Sequence, residues 1–411
     1  MDAKQASIKK TRNGRERRAI YLDMKDLRKD FRERERQCVS TLVKQSKIIL
    51  ATLHGAGGHQ LRGEDFDVVI IDEASQALEA QCWIPLLHAK KVVLAGDHLQ
   101  LPPTVKSLPH PGHKTSLPVL PFTKPVENGS TKTPSDTTTP EKKPAGGSLE
   151  ITLFTRLLSL HGEGIKRMLT TQYRMHSLIN AFPSRELYSD LLVSAPSVAS
   201  RLLTNLSYSV SDTDDTREPL IFYDTQGGDF PEAVPHAADA EGRKGILMQD
   251  SKSNPSEAAL ATRHVRSLLA AGVEEEDVAV ITPYNAQVSL LASLLKPAHP
   301  GVEIGSVDGF QGREKEAVVL SLVRSNVDDD GGGGASGGKG TIKGRGEVEV
   351  GFLGEKRRLN VAMTRARRQL VVIGDSETVG KGSGFLKRWT EFLEQEAEVR
   401  YPDIGDILGE G

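Results

Sequence analysis

Short runs of consecutive apolar, mostly β-branched residues punctuate this chain, separated by longer segments of helical period. Val68 to Ile71 is the clearest run, and such continuity predicts a parallel strand covered on both faces. It stops at Asp72 and Glu73; a helix-length segment follows to about Leu87, and Val92 to Ala95 repeats the strand pattern before Gly96-Asp97-His98. The spacing predicts a βαβ unit with polar groups at both strand ends, where open α/β sheets bind ligands.

The rest of the chain extends this alternation. Ile48 to Leu53 is a further buried-strand candidate, ending at His54-Gly55-Ala56-Gly57-Gly58. Leu149 to Leu160 predicts an amphipathic helix, and another helix runs through Leu187. Strands are predicted over Glu218 to Asp224, Asp277 to Thr282, Ile304 to Val307, Ala317 to Val323 and Leu370 to Gly374. Asn254-Pro255-Ser256-Glu257 predicts a helix start, with Asn as cap, Pro in the first turn and Glu at the capping-box position. That helix runs to Gly272, and a second covers Ala286 to Leu295. Glu355 to Arg368 is predicted as a basic helix in which Arg367 and Arg368 solvate the surface or complement the C-terminal dipole. The class is therefore α/β with parallel sheets.

Two stretches break the pattern: Val105 to Ser148 is rich in Pro, Thr, Ser and Lys, and Asp328 to Gly346 in Gly, so both are expected to be insertions. Met1 to about Lys47 mixes Lys and Arg with acids around a thin apolar stripe, which predicts one or two exposed helices. The expected organisation is a basic helical arm over 1–47, a first domain over 48–169, a second over 170–400 and a tail over 401–411.

Composition adds bounds rather than chemistry. The 411 residues suffice for two domains, and a formal net charge of −2 confines any nucleic-acid-binding surface to a local patch. Two cysteines are too few for a disulfide framework or a zinc site. No apolar run reaches membrane-spanning length, and the expectation is a soluble intracellular protein.

Candidate chemistry sits at the strand ends. Hydrolysis of a nucleoside triphosphate needs a carboxylate to hold Mg²⁺, often through water, and a group to orient the attacking water. Asp72 suits the first role and Glu73 the second, while Gln100 in the following turn can reach a γ-phosphate. Taken alone, the two acids read rather as exposed residues capping a helix N-terminus.

The segments IDEASQ, GDHLQLPPT, QYRMH, VDGFQGREKEAVVLSLVRSN and NVAMTRARRQLVVIGD occur here in that order. With them the chain resembles the Upf1-like branch of superfamily 1 helicases, over most of Lys47 to Asp375. The resemblance implies two RecA-like domains with parallel sheets in a P-loop NTPase fold, the first incomplete. It implies ATP and Mg²⁺ as cofactors and 5′→3′ movement on single-stranded DNA or RNA. Asp72 and Glu73 would be the metal-binding and water-activating acids and Gln100 the γ-phosphate sensor. Arg174 and Arg365 would approach the phosphates, Glu314 the nucleotide sugar, and Tyr173 and Gly312 would line the nucleotide site. Thr52, His54, Pro283, Tyr284, Ser306 and Asp308 would lie near the strand. The implied location is nucleus or cytoplasm, with replication or RNA-processing proteins as partners and no membrane.

One family element is missing. No GxxxxGKS or GxxxxGKT loop precedes Asp72, so the sequence is expected to begin partway through the first RecA-like domain. Gly333 to Lys339 mimics the loop, but Gly340 stands where the Mg²⁺-holding hydroxyl belongs. These residues alone are expected to bind ATP poorly. Two rivals stay open: a non-catalytic nucleic-acid-binding module, and an interaction scaffold without nucleic-acid affinity.

Overall fold

The computed structural model describes residues 6–8, 10–105, 149–233, 251–325, 351–403 and 405. Both expected insertions, and the loop mimic at Gly333 to Lys339, lie outside the described residues apart from their edges. The chain divides into two compact units, Met1–Asp97 with Pro102–Leu160, and His98–Leu101 with His161–Gly411.

The first unit opens with α1 (Gly14–Gln45), one continuous helix whose N-terminus is capped by Asn13. Its apolar residues are mostly exposed; Met24 is the buried one. Strand β1 (Phe66–Ile71), helix α2 (Glu79–Leu86) and strand β2 (Ala89–Leu94) form the predicted βαβ unit. The strands pair in parallel, Val69 opposite Val92 and Ile71 opposite Leu94. Helix α3 (Leu153–His161) completes a small core of Ile71, Ala74, Ala77, Cys82 and Leu153. Arg156 on α3 grips Glu79 on α2 through two parallel hydrogen bonds of 2.9 and 2.5 Å.

Two expectations fail in this unit. The strands are not covered on both faces, because Ile70 is 69% exposed and Val93 50%. Only the face toward α2 and α3 has packing partners among the described residues. Ile48 to Leu53 forms no strand: no described strand pairs with it, and Leu50 is 93% exposed. An apolar run without a neighbour to take its hydrogen bonds has no ladder to join.

The second unit is a doubly covered sheet. β3 (Thr171–Gln172) and β4 (Val193–Ser194) pair apart from it, flanking α4 (Ser177–Leu187). After the short α5 (Asp214–Arg217), the chain forms β5 (Leu220–Asp224), α6 (Pro255–Ala270), β6 (Val278–Thr282), α7 (Asn285–Leu295), β7 (Glu303–Ser306) and β8 (Lys315–Ser321). Helix α8 (Lys356–Met363), β9 (Ala366–Gly374), α9 (Ser376–Gly380), α10 (Gly384–Glu396) and β10 (Glu398–Arg400) complete it. The six main strands run in the order β10-β5-β9-β8-β6-β7, every pair parallel. Side chains of α6 and α7 fill one face and those of α4, α8 and α10 the other. Coverage on both sides explains why β6 and β8 read as unbroken apolar runs.

The start of α6 forms as its sequence dictates: Asn254 caps it, accepting from the Glu257 amide at 3.0 Å, with Pro255 in the first turn. The basic helix is shorter than expected. It ends at Met363, and Arg367 and Arg368 lie on β9.

Two fully buried ionisable groups in this unit contribute to its response to pH. Burial pushes the Glu257 carboxyl up to about 8, and burial pushes the His264 imidazole down to about 4. From about 4.5 to 6.5, the ordinary values of the two groups, their effects oppose each other. Above that window only Glu257 acts: the unfolded carboxyl has released a proton that the folded one keeps, so stability falls as pH rises. One proton over the interval up to pH 8 corresponds to at most about 2 kcal/mol. Urea midpoints are therefore expected to decline from pH 6.5 to 8 in the wild type and to stay flat in Glu257→Gln. Equal slopes in both would refute this assignment.

Candidate nucleotide and strand site

Candidate residues fall in both units. In the first, β1 delivers Asp72 and Glu73 to an exposed turn at its carboxyl end. Asp72 Oδ1 accepts from the Glu73 amide at 3.0 Å, and Glu73 adopts the left-handed region at φ 52°. Gln76 Nε2 donates to Glu73 Oε2 at 2.6 Å and orients that carboxylate. The turn is tied to the end of β2 by Ala74 N–H to Ala95 C=O at 2.8 Å and Ala95 N–H to Ile71 C=O at 2.9 Å. The approach is so close that a Cβ on Gly96 would lie 2.9 Å from the Ser75 nitrogen, so only glycine fits there.

No cluster of three or more His, Cys, Asp or Glu able to hold a metal occurs among the described residues. One exposed carboxylate at a strand end nevertheless fits Mg²⁺, which keeps its waters and binds through one or two carboxylates plus substrate phosphates. Asp72 is the residue that would hold it. Thr52 and His54 are exposed in a nearby stretch of chain, where Thr52 Oγ1 accepts from the Gly55 amide at 3.0 Å.

In the second unit Gln100 sits between two anchored neighbours. Leu99 C=O accepts from Asn360 Nδ2 at 3.0 Å, and Leu101 is buried in the core.

The densest chemistry lies where β8 meets β9. Lys315 pairs with Ala366 but Ala317 with Gln369, so β9 has one residue more than β8 over this interval. Such a bulge sets two residues against one. Arg367 and Arg368 both reach Glu316, Arg367 Nη1 to Oε1 at 2.7 Å and Arg368 Nε to Oε2 at 2.7 Å. Arg367 Nε also donates to Glu314 Oε1 at 2.9 Å, while Arg174 Nε pairs with Glu314 Oε2. Arg201 joins through a 2.8 Å hydrogen bond from Nη2 to the Arg174 carbonyl. Four guanidiniums and two carboxylates leave this cluster with two excess positive charges (4 − 2).

Its electrostatics show in the pKa directions. Burial opposes the Glu314 charge, but the Arg367 hydrogen bond and the Arg174 and Arg367 charges win and hold its carboxyl below the usual range. Burial, and then the Arg368 charge, push Arg201 down.

Arg174 is aimed by its own loop. Gln172 Oε1 accepts from the Arg174 and Met175 amides at 2.8 and 2.7 Å, and its Nε2 donates to the Met175 carbonyl at 2.8 Å. Arg174 Nη1 reaches the Thr364 carbonyl at 3.2 Å, and its side chain is one-third exposed. Arg365 is placed differently. It is 2% exposed and donates to the carbonyls of Val361 and Arg313 and to Thr364 Oγ1. Gly312, beside Arg313, is left-handed at φ 76°, and Tyr173 is 71% exposed. The structure thus brings Arg174 and Glu314 into direct contact, with Arg365 bonded to the turn that Gly312 forms.

Among the candidate strand residues, Asp308 Oδ1 accepts from Arg358 Nε at 3.1 Å, and Ser306 Oγ from the Gly309 amide at 3.4 Å. Pro283 is half-buried. Tyr284 is 4% exposed and hydrogen-bonded to Arg324, so its ring is not presented for stacking. Sequence reasoning missed Glu316, Gln172 and Arg201, and expected Arg367 and Arg368 to solvate a helix or complement its dipole rather than to pair with Glu314 and Glu316. Of these only Glu316 carries a local signal, its spacing of two from Glu314 at the start of β8.

Exposed acids at the carboxyl end of β1, and an arginine cluster at the start of β8 and β9, are groups suited to handling phosphate. The chain belongs to the AAA-domain family of Upf1-like helicases: residues 149–377 match one AAA domain and residues 1–108 a second. It is 45% identical to the DNA polymerase alpha-associated DNA helicase A of Schizosaccharomyces pombe, covering 96% of this chain and 50% of that protein. It is 39% identical to the Saccharomyces cerevisiae protein of the same name (97% and 53% covered), and 42% to the DNA-binding protein SMUBP-2 of Mus musculus (98% and 34%). The chain thus spans about half the length, or less, of these relatives.

Proposed function

We propose that this chain carries motor residues of an ATP-dependent superfamily 1 helicase that moves 5′→3′ on single-stranded nucleic acid, DNA in the first instance. The observation that supports this most is the arginine cluster at the β8–β9 bulge, whose two excess positive charges suit a polyphosphate. Asp72 would hold Mg²⁺ with the phosphates, and that ion would neutralise charge as the phosphoryl group transfers. Glu73 would orient the attacking water, and Gln100 would register the γ-phosphate. Arg174 would stabilise the developing charge, and Glu314, while holding Arg174, would contact the sugar beside Tyr173. Arg365 would act one step back, fixing the Gly312–Arg313 turn. Thr52, His54, Pro283, Ser306 and Asp308 would track the strand backbone. Work on DNA beside a polymerase, as the names of the relatives have it, supports a nuclear location for this activity.

The test is fluorescence anisotropy of this chain with oligo-dT and the matching RNA across a salt series. Binding that weakens with salt, with a log–log slope of about −0.7 per phosphate contacted, is expected. No binding of either oligomer at low salt would overturn the strand reading and favour a scaffold.

A further inference from the structure

The turn after β8 is clamped by the first turn of α6. Val323 is fully buried and sits at φ 73°, a region that β-branched residues rarely enter. Its N–H donates to Glu257 Oε2 at 2.9 Å, and its carbonyl accepts from Asn254 Nδ2 at 3.3 Å. Both clamping residues are 0% exposed. Glu257 Oε2 also accepts from Ser321 Oγ at 2.7 Å, and that hydroxyl accepts from Gln287 Nε2 at 3.0 Å. Gln287 Oε1 in turn receives the Asn254 amide at 2.8 Å. Glu257, Asn254, Ser321 and Gln287 thus form one hydrogen-bonded unit whose output is a single left-handed residue.

The two residues beyond Val323 give this clamp a consequence. Arg324 Nε donates to Glu232 Oε2 at 2.8 Å, and its guanidinium hydrogen-bonds Tyr284 at the end of β6. Ser325 Oγ donates to Asp375 Oδ2 at 3.1 Å. A valine released from the left-handed region relaxes toward extended backbone. That rotation would swing Arg324 off Tyr284 and free the Pro283–Tyr284 turn.

We propose that Glu257 is a positioning residue for strand grip: it holds Val323 left-handed so that Arg324 fixes the Pro283–Tyr284 turn. The proposal rests on the strand-binding reading of that turn. Glu257 itself touches neither strand nor nucleotide.

The experiment compares the full chain with Glu257→Gln, Glu257→Ala, Glu257→Asp and the double variant Glu257→Ala with Val323→Gly. Each is shown folded by circular dichroism, and Glu257→Asp, which withdraws the carboxyl group by one methylene, substitutes if the alanine variant does not fold. Hydrogen exchange of the peptide spanning 321–325 reads the turn, and anisotropy with oligo-dT reads grip. Glu257→Gln keeps an acceptor for Val323 and should retain protection and affinity. Glu257→Ala should lose protection and weaken binding about tenfold, as for one lost buried hydrogen bond. Glycine takes a positive φ unaided, so the double variant should recover most of that affinity. Unchanged exchange in folded Glu257→Ala, or a double variant as weak as the single, overturns the proposal. If the wild type itself fails to bind, the strand reading falls and the grip consequence with it. The exchange pattern then decides separately whether Glu257 holds the turn.

Discussion

Replacing Arg174 with alanine is expected to lower ATP turnover about 10³-fold with little loss of fold stability. The turnover is measured on these residues joined to an upstream segment that supplies a GxxxxGKS or GxxxxGKT loop. The two effects separate because of the pairing at Glu314. That carboxylate keeps Arg367 when Arg174 is removed, so no buried charge is orphaned, and Arg174 is itself one-third exposed. A pair of that exposure contributes about 1 kcal/mol or less to stability. In the proposed mechanism turnover would depend instead on a planar guanidinium at the developing charge, the role assigned there to Arg174. Arg174→Lys should recover little, since an ammonium cannot hold Glu314 and Thr364 together as the fork does. A variant with unchanged turnover would remove Arg174 from the catalytic assignment.

Arg368→Ala is expected to do the reverse, destabilising the second unit by about 3 kcal/mol while leaving Arg174 on Glu314. Arg368 and Glu316 have side chains only 11% and 9% exposed, and Arg368 also bonds the Leu202 carbonyl at 2.8 Å. Deleting it strips Glu316 of one of two partners deep in the bulge, and that is the costly way to break a buried pair. Arg367, still bonded to Glu316 Oε1, keeps the loss toward the lower end of the range. Urea unfolding checks it: the midpoint should fall at unchanged slope. A shift under about 1 kcal/mol would mean that Arg367 alone satisfies Glu316.

How much of this was legible in the sequence depends on how local each feature is. The acidic turn after β1 could be read because an apolar β-branched run that stops at Asp72 marks a strand end, although that strand proves to be covered on one face only. The capped start of α6 could be read because Asn254, Pro255 and Glu257 act within one turn. The arginine–carboxylate cluster could not, since Glu316 meets Arg368 across 52 positions of chain. Helical composition disguised the start of β9: Ala366, Arg367 and Arg368 suit a helix, and pairing with β8 decides against it. β10 has only Glu398, Val399 and Arg400, too short and too charged for a periodic signal. Ile48 to Leu53 erred in the other direction, an apolar run with no neighbour to pair it. Arg174 and Arg365 looked alike as motif residues; only packing separates the side chain at the site's surface from the one bonded to backbone.

The measurement that tests the account most directly is ATP turnover, with and without single-stranded DNA, by these residues joined to the phosphate-binding loop, beside Glu73→Gln. The account predicts strand-stimulated turnover that falls about 10³-fold in Glu73→Gln, as loss of a water-positioning group should cause. Strand binding with no turnover, or turnover indifferent to Glu73→Gln, would contradict it; the first result would establish the non-catalytic binding module instead.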